Sequence, residues 1–264
     1  YGCISFITAS LFIKGMKFIS LRNFLTSNIN LSEFFIAGDK VFEQVQMPTS
    51  VLVGKKSDDI KQWVFEQFIP NYDLLSKFEH KSIPLDSITR ILRGFEIGKD
   101  KVLDISDIEF ITGSDIQKWC TKSIRYISKP TYKKYKKDEI FFTDNRLLIR
   151  ETGSRLTALY LNKTLYSNRS LYSIKILNSD FSYLYVLGLL NSNILQFYYQ
   201  TRFKSETDIF PKIRIAQVKQ MPIKVANNTN QSRISSLVDR ILTTKKTNPQ
   251  ADTTGLEAEI DQMV

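Results

Sequence analysis

The apolar positions of the first part of the chain predict a strand, a helix and two further strands. Residues 3–8, 31–37 and 50–53 form short apolar runs of strand type, and residues 18–25 repeat apolar side chains at helical spacing. A short helix is predicted around residues 63–68. This order is typical of the end of a doubly wound α/β domain, and these elements alone are too few to close a core.

The pattern changes after a polar stretch at residues 73–87, which predicts a boundary. From residue 88 onward, short strands alternate with glycine-marked turns. The clearest predicted strands are residues 141–142, 147–150, 158–161 and 173–177. One long helix is predicted over residues 181–199, and two more at residues 234–242 and 256–263.

We therefore predict an α+β chain with four segments. Residues 1–57 form the end of an α/β domain, and residues 58–80 form a connecting helix and boundary. Residues 81–225 form a domain with a mixed β-sheet, and residues 226–264 form C-terminal helices.

Charge changes this picture because it is unevenly distributed. The chain of 264 residues carries a net charge of +10 and has a pI near 9.4. Residues 58–117 hold 7 basic and 12 acidic residues, whereas residues 118–155 hold 11 and 4, and residues 156–225 hold 9 and 3. A positive field confined to the middle and second half predicts a polyanionic partner for that part of the chain.

The cysteine content and the apolar runs limit the cellular setting. With two cysteines, Cys3 and Cys120, a disulfide framework is not expected, which favours a reducing, cytoplasmic compartment. No apolar run approaches the roughly 18 residues of a membrane span, and the N-terminal run has neither the basic segment nor the cleavage site of a signal peptide. A chain that starts without Met, directly in a strand, is expected to be a piece of a longer protein.

Residues 129–146 combine lysines with two tyrosines, a composition typical of phosphate contact and base or sugar stacking. A solvated loop is the alternative interpretation. The candidate nucleic-acid contacts in this stretch are Lys129, Tyr132, Lys133, Lys134, Tyr135, Lys136, Lys137 and Arg146.

Other candidates lie beside predicted strands or after the long helix. A guanidinium on a strand end can reach a guanine edge with two hydrogen bonds, although each such arginine could instead pair with Glu151 or a buried carboxylate. After the long helix, a second basic and aromatic stretch can anchor its phenylalanines inward and expose its cations. These further candidates are Arg150, Arg155, Arg169, Arg202, Lys204, Lys212 and Arg214.

Residues suited to catalysis are sparse. No glycine-rich turn follows a strand, so no nucleotide or S-adenosylmethionine cradle is predicted, and we expect no cofactor and no metal in this chain. His80 has no candidate triad partners, and two distant cysteines cannot form a zinc site. The acidic pairs Asp104/Asp107 and Asp138/Glu139 could hold magnesium in a nuclease, but no strand-borne lysine follows at suitable spacing.

Several short motifs carry a family resemblance. Residues 1–57, with Gly2-x-x-Ser5-Phe6-Ile7-Thr8 and Ser50-Val51-Leu52-Val53, resemble the final strands of N6-adenine DNA methyltransferases. The remainder resembles the TaqI-like C-terminal specificity domain of fused type II restriction-modification enzymes. Its matching motifs are Gly94-x-x-x-Gly98, Leu147-Leu148-Ile149-Arg150-Glu151-x-Gly153, Leu189-Leu190-Asn191-Ser192 and Phe210-Pro211-Lys212-Ile213, the last leading to Met221-Pro222-Ile223.

The resemblance implies a target-recognition domain for double-stranded DNA in residues 81–225. It also implies a longer parent enzyme that methylates adenine with S-adenosylmethionine, with a possible magnesium-dependent nuclease. The Phe-x-Gly-x-Gly and Asn-Pro-Pro-Tyr motifs of such enzymes are absent from this sequence, so the chain is expected to be inactive alone. The alternatives are a type I specificity subunit, a competent nuclease or methyltransferase, and a purely structural interaction module.

Overall fold

A computed structural model describes residues 2–38, 41–42, 48–56, 59, 61, 63–69, 71–203 and 211–264. The chain divides into two compact units. Unit 1 comprises residues 1–77 and 198–209, and unit 2 comprises residues 78–197 and 210–264. Both helices and strands occur in each unit, which confirms the α+β class. The segment boundaries predicted after residues 57, 80 and 225 stay predictions.

Unit 1 contains a three-stranded sheet in which the last strand lies between the other two. Its strands are β1 (Cys3–Ala9), β2 (Ile29–Gly38) and β3 (Thr49–Lys56), and its helices are α1 (Leu11–Lys14), α2 (Ile19–Asn28) and α3 (Tyr72–Glu79), the last reaching into unit 2. The sheet order is β1-β3-β2, with β3 antiparallel to both neighbours. The predicted strand, helix, strand, strand order is confirmed.

The core of unit 1 is aromatic. Phe12, Phe65 and Trp63 are buried, and the ring centroids of Phe12 and Phe65 lie 5.1 Å apart in edge-to-face packing. The indole N–H of Trp63 donates to the carbonyl of Ile29 at 2.8 Å, so its polar atom is satisfied inside the core. The helix predicted at residues 63–68 is a 3-10 turn, Phe65–Phe68.

Unit 2 is built from several small sheets rather than one mixed sheet. Its strands are β4 (Ser82–Pro84), β5 (Thr89–Arg93), β6 (Ile108–Ile111), β7 (Ile116–Gln117), β8 (Cys120–Thr121), β9 (Arg125–Ile127), β10 (Arg146–Arg150), β11 (Ala158–Leu161), β12 (Tyr166–Ser167), β13 (Leu171–Ile176) and β14 (Pro222–Lys224). The four-stranded sheet β11-β10-β13-β5 is antiparallel, and the sheet β12-β6-β9 is mixed. The pairs β14-β4 and β7-β8 complete the described sheets.

Helices cover these sheets and close the chain. They are α4 (Lys129–Tyr135), α5 (Tyr183–Asn191), α6 (Asn193–Phe203, which continues into unit 1), α7 (Ile215–Lys219), α8 (Asn228–Thr247) and α9 (Thr254–Met263). Short 3-10 turns occupy Leu85–Ser87, Lys99–Lys101, Gly113–Asp115 and Glu139–Phe141. No helix in the described part of the chain combines the length and the apolar character that a membrane crossing requires.

Two sequence predictions in unit 2 need correction. Residues 141–142 are not a strand, because Asp138 caps the 3-10 turn Glu139–Phe141 and both phenylalanines are buried. The helix predicted over residues 181–199 is two helices, because the Ser192 hydroxyl donates to the Leu189 carbonyl and accepts from the Leu195 N–H. The polar stretch at residues 73–87 contains most of α3 and all of β4, and the division between the two units, after residue 77, lies within it.

Close packing between α5 and α8 depends on a glycine. A Cβ at Gly188 would lie 2.8 Å from the Ile234 Cγ2 atom and 3.0 Å from the Val238 Cγ2 atom. We expect Gly188→Ala to lower the free energy of unfolding by about 1–3 kcal/mol, because the helices must separate or the side chains must leave their rotamers. Urea denaturation measures this change.

Gly255→Ala is the matched control, because nothing lies within 4 Å of a Cβ at that position in α9. Alanine has the higher helix propensity, so this variant should be neutral or slightly more stable. Equal destabilisation by both substitutions would contradict the packing argument.

Candidate nucleic-acid interface

The strands of the four-stranded sheet bring several loops to one edge. In the antiparallel register, Arg93 at the end of β5 pairs with Tyr172, and Arg150 at the end of β10 pairs with Leu171 at the start of β13. Ala158, the first residue of β11, pairs with Ile149. The loops 94–98, 151–157 and 168–170 therefore leave the sheet at the same edge.

Five predicted contact residues meet at this edge. Arg150, Arg155 and Arg169 lie at the end of β10 or in the two loops that follow. Lys212 is brought there by a β-bridge to Thr152. Lys137 donates from its ammonium to the carbonyls of Arg93 and Gly94, at 3.1 and 2.9 Å. We call this set, Lys137, Arg150, Arg155, Arg169 and Lys212, the cationic edge.

The cations of the cationic edge are not neutralised by carboxylates. No ion pair joins any of the five to an acidic side chain among the described residues, whereas Arg125, Lys163 and Lys219 each have such a partner. Glu151 was the alternative partner considered for the strand-end arginines, and in the structure it accepts from Arg93 at 2.5 Å. The positive potential at this edge is therefore directed to solvent.

Arg93 is a part of this region that sequence analysis missed. The hydrogen bond that its guanidinium donates to Glu151 raises the pKa of Arg93, and its Nε atom donates to the Arg169 carbonyl at 2.9 Å. The Tyr172 hydroxyl contacts Glu151 at 3.3 Å and donates to the Ile213 carbonyl at 3.1 Å, and burial raises the pKa of Tyr172 to about 12. This network holds together the points at which the loops 94–98, 151–157 and 168–170 leave the sheet. The two ion-pair partners are 58 positions apart, so no local pattern marks them.

Helix α4 presents the lysine run. The Ser128 hydroxyl caps its first turn by accepting from the Thr131 N–H, and Pro130 occupies the first turn, where no hydrogen-bond donor is needed. Because Lys137 binds the carbonyls at the end of β5, the C-terminal end of α4 is anchored at the cationic edge. Four lysines in and after the helix are exposed: Lys129, Lys133, Lys134 and Lys136.

The two tyrosines of this stretch pack inward. The Tyr132 ring lies 4.8 Å from the Tyr166 ring and 6.3 Å from the Phe95 ring, centroid to centroid. The Tyr132 hydroxyl donates to Glu139, which raises the pKa of Tyr132. Tyr135 is half-buried against the same cluster. Stacking of Tyr132 or Tyr135 on bases is therefore not supported, and their aromatic character serves packing.

Arg146 is fully buried and cannot reach DNA, so its place among the predicted contacts was wrong. Its guanidinium donates to the carbonyls of Asp144, Lys163 and Leu165, at 2.9, 2.7 and 2.8 Å. Burial lowers the pKa of Arg146 to about 10, which leaves it charged at neutral pH. Its position at the start of β10, directly before the apolar run of residues 147–149, is the signal that could have indicated burial.

The remaining candidates lie elsewhere. Arg202 belongs to unit 1, in the last turn of α6. Lys204 and Phe210 lie outside the described residues. Arg214 is exposed at the start of α7, where its backbone N–H donates to the Gln217 side chain at 2.8 Å.

The acidic residues considered for magnesium have structural partners. Asp107 accepts from the Lys129 N–H at the start of α4, and Asp138 caps the next 3-10 turn. Asp104 and Glu139 are bound by Arg125 and Tyr132. Within the described ranges, no group of three or more His, Cys, Asp or Glu side chains could hold a metal ion.

Two amide side chains hold the loop that carries Arg155. Asn191, at the end of α5, accepts from the Ala158 N–H and donates to the Ala158 carbonyl, both at 3.0 Å. Gln196 accepts from the Leu156 N–H at 2.7 Å and donates to the Ser154 carbonyl at 3.4 Å. The Leu-Asn-Ser motif thus has a structural meaning: Asn191 pairs with an edge strand, and Ser192 begins the next helix.

The comparisons with known proteins bear on the same region. Residues 108–223 match the family model of the TaqI-like C-terminal specificity domain. No curated protein sequence matches the chain. The chain is similar in structure to the type IIL restriction-modification enzyme MmeI, solved in complex with DNA, with a TM-score of 0.57 and 11% sequence identity, over 99% of this chain and 46% of that chain.

Two further structures give lower scores. The type IIG restriction endonuclease BpuSI has a TM-score of 0.42 at 12% identity, over 99% of this chain and 47% of its own. The HsdS subunit from Thermoanaerobacter tengcongensis has a TM-score of 0.42 at 13% identity, over 72% and 48%. These two scores are too low to indicate a shared fold. The chain spans about half the length of each structure.

Loss of the Arg146 guanidinium tests its structural role. We expect Arg146→Met to lower the free energy of unfolding by at least about 3 kcal/mol, because three carbonyls lose their donor and each buried unsatisfied acceptor costs about 1–3 kcal/mol. Urea denaturation followed by circular dichroism measures the change.

Lys163→Met is the control. The Lys163 side chain is half-exposed and pairs with Glu109 at 2.7 Å, an interaction worth less than about 1 kcal/mol. A stability loss for Arg146→Met no larger than for this variant would contradict the assignment.

Proposed function

Since residues 108–223 are a TaqI-like C-terminal specificity domain, we propose that unit 2 recognises a specific sequence in double-stranded DNA for a restriction-modification enzyme. The observation that carries this proposal is the cationic edge, where five cations without carboxylate partners in the described structure meet beside the exposed lysines of α4. Duplex DNA is the polyanion that a row of lysines and strand-end arginines fits.

We assign the two kinds of cation different roles. Lys129, Lys133, Lys134 and Lys136 are mobile point charges on a helix surface, suited to phosphate oxygens and therefore to positioning. Arg150, Arg155 and Arg169 lie at the end of β10 or in the loops of the sheet edge, where their planar guanidinium groups suit paired acceptors, either the edge of a guanine or the oxygens of a phosphate. Lys212 and Lys137 flank them and add to the positive field.

We also propose that residues 1–57 are the end of an adenine-N6 methyltransferase domain. The strand order β1-β3-β2 supports this, because β3 runs antiparallel between two strands that are parallel to each other and joined through α1 and α2. Ile4 and Ile7 of β1 are 40% and 55% exposed, as expected if further structure covers this strand. This arrangement favours the type II interpretation over a type I specificity subunit.

In this proposal the parent enzyme uses S-adenosylmethionine, and any fused nuclease uses magnesium, and both bind in parts of that enzyme other than this chain. The partners of this chain are then duplex DNA and the rest of that enzyme.

Removing the α4 lysines tests the phosphate contacts. We expect the Lys133→Ala/Lys134→Ala double variant to weaken binding to all duplexes similarly and to reduce the slope of log K against log salt by about one unit per lost phosphate contact. Fluorescence anisotropy with a labelled random-sequence duplex, over a range of salt concentrations, measures both quantities.

The Arg233→Ala/Arg240→Ala double variant is the matched control, because it removes two exposed cations from α8, which is neither part of α4 nor one of the loops that carry the cationic edge. Its salt slope should equal that of the unmodified chain. If both double variants reduced the slope equally, binding would follow net charge alone, and the assignment of α4 would be wrong.

Binding of S-adenosylmethionine distinguishes a recognition domain from a complete methyltransferase. Because the chain lacks a glycine-rich cofactor motif, we expect isothermal titration of the 264-residue chain with S-adenosylmethionine to give no saturable heat. Saturable binding would instead favour the rival interpretation of a competent methyltransferase.

A further inference from the structure

A pocket in unit 2 lies behind the loop that carries Arg155. Its volume is about 620 Å³, and it is lined by the loop 153–157, by the junction of α5 with α6, and by Thr254 and Glu257 of α9. Three cationic side chains, Lys118, Arg150 and Arg155, contribute to its wall. The pocket therefore holds more positive than negative charge.

The single acidic side chain lining the pocket does not neutralise the arginines. Glu257 is bound by the Lys118 ammonium and accepts from the Thr253 hydroxyl at 2.8 Å. Glu151 follows Arg150 in sequence but is occupied by Arg93. Within the described residues, neither Arg150 nor Arg155 pairs with a carboxylate, so two guanidinium charges in one pocket lack a counter-ion.

The Arg150 side chain is held in a fixed place with unused hydrogen-bonding capacity. A Cβ at Gly113 would lie 3.3 Å from the Arg150 Cγ atom, and a Cβ at Gly153 would lie 3.4 Å from an Nη atom, so both glycines leave room for this side chain. One Nη atom donates to the Thr157 hydroxyl at 3.2 Å, whereas the buried Nε atom has no acceptor among the described residues. A buried donor without a partner is costly, and an anionic acceptor would remove that cost.

Arg155 lines the same pocket, and hydrogen bonds to the neighbouring backbone hold it there. Gln196 bonds to the residues on either side of it, accepting from the Leu156 N–H and donating to the Ser154 carbonyl. The Arg155 guanidinium reaches the Asn193 side-chain oxygen at 3.5 Å, a weak contact that leaves most of its donors available. The position of Arg155 is therefore fixed while its binding capacity is retained.

We propose that this pocket is a phosphate-binding site in which Arg150 and Arg155 are the ligands of the phosphate oxygens. A guanidinium fork matches the oxygens of a phosphate group and forms charge-assisted hydrogen bonds with them. The pocket is larger than one phosphate, so it has room for an attached sugar or base. The phosphate belongs either to the backbone of DNA or to a free phosphate-bearing molecule, and the two sources present the same chemistry.

Equilibrium dialysis of the full chain with radiolabelled inorganic phosphate, at constant ionic strength in chloride, tests the site. We expect saturable binding of one phosphate per chain. Arg150→Gln and Arg155→Gln should each weaken it at least about tenfold, the effect of losing a charge-assisted hydrogen bond. Arg240→Gln, which removes an exposed arginine of α8 outside the pocket, should bind like the unmodified chain.

Absence of saturable phosphate binding by the unmodified chain would overturn the proposal. Phosphate affinity in both pocket variants equal to that of the unmodified chain would overturn it as well. Arg155 is exposed, so Arg155→Gln keeps the test informative if Arg150→Gln does not fold. Circular dichroism of each variant verifies folding. None of these outcomes depends on DNA binding, so they are separate from the proposed function.

A second measurement identifies the source of the phosphate and rests on the proposed function. If the source is the DNA backbone, Arg155→Gln should reduce the salt slope of duplex binding by about one unit. If phosphate binds but this slope is unchanged, the site serves a free phosphate-bearing ligand, which also supports the proposal.

Discussion

The loop that joins β10 to β11 depends on hydrogen bonds from side chains of two helices. Strand β11 lies at the edge of the four-stranded sheet, so no strand pairs with the outer side of residues 154–158. The backbone N–H and carbonyl groups on that side therefore need other hydrogen-bond partners. Asn191 and Gln196 supply four of these bonds from the end of α5 and the start of α6. The two amides lie on either side of the break at Ser192, whose hydroxyl donates to the Leu189 carbonyl and accepts from the Leu195 N–H.

The role of a basic residue in this protein depends more on its burial than on its position in the sequence. Two cations, Arg146 and Lys175, are taken into unit 2, where they bind the carbonyls of the turn around Asp144 and neighbouring loops. Asp144 has a φ of 50°, a left-handed conformation that these bonds stabilise. Burial lowers the pKa of Lys175. The basic residues of segment 118–155 therefore include both a buried cation, Arg146, that binds carbonyls, and the exposed lysines in and after α4.

Secondary-structure elements were predicted correctly where a single physical requirement, such as the burial of one apolar face, determined the sequence pattern. Strands such as β10, β11 and β13 follow from runs of apolar residues, and α8 and α9 follow from helical spacing. Residues 141–142 were misinterpreted because buried phenylalanines look the same in a strand and in a 3-10 turn. Arg146 was misinterpreted because a cation among apolar residues can bind carbonyls or a ligand, and only tertiary contacts distinguish these. Arg93, Asn191 and Gln196 act through partners distant in sequence, which no local pattern reveals.

Because Asn191 and Gln196 bind main-chain atoms, they impose almost no requirement on the side chains of the loop itself. Ser154 and Arg155 are exposed and could exchange their side chains while the same four bonds persisted, whereas Leu156 is buried and has to stay apolar. Gly153 is different, since its φ of 131° excludes most other residues, and it fixes where the variable stretch can begin. The scaffold is thus suited to accept new reading residues at this loop without rebuilding the sheet, which makes it a natural place to redirect recognition by design.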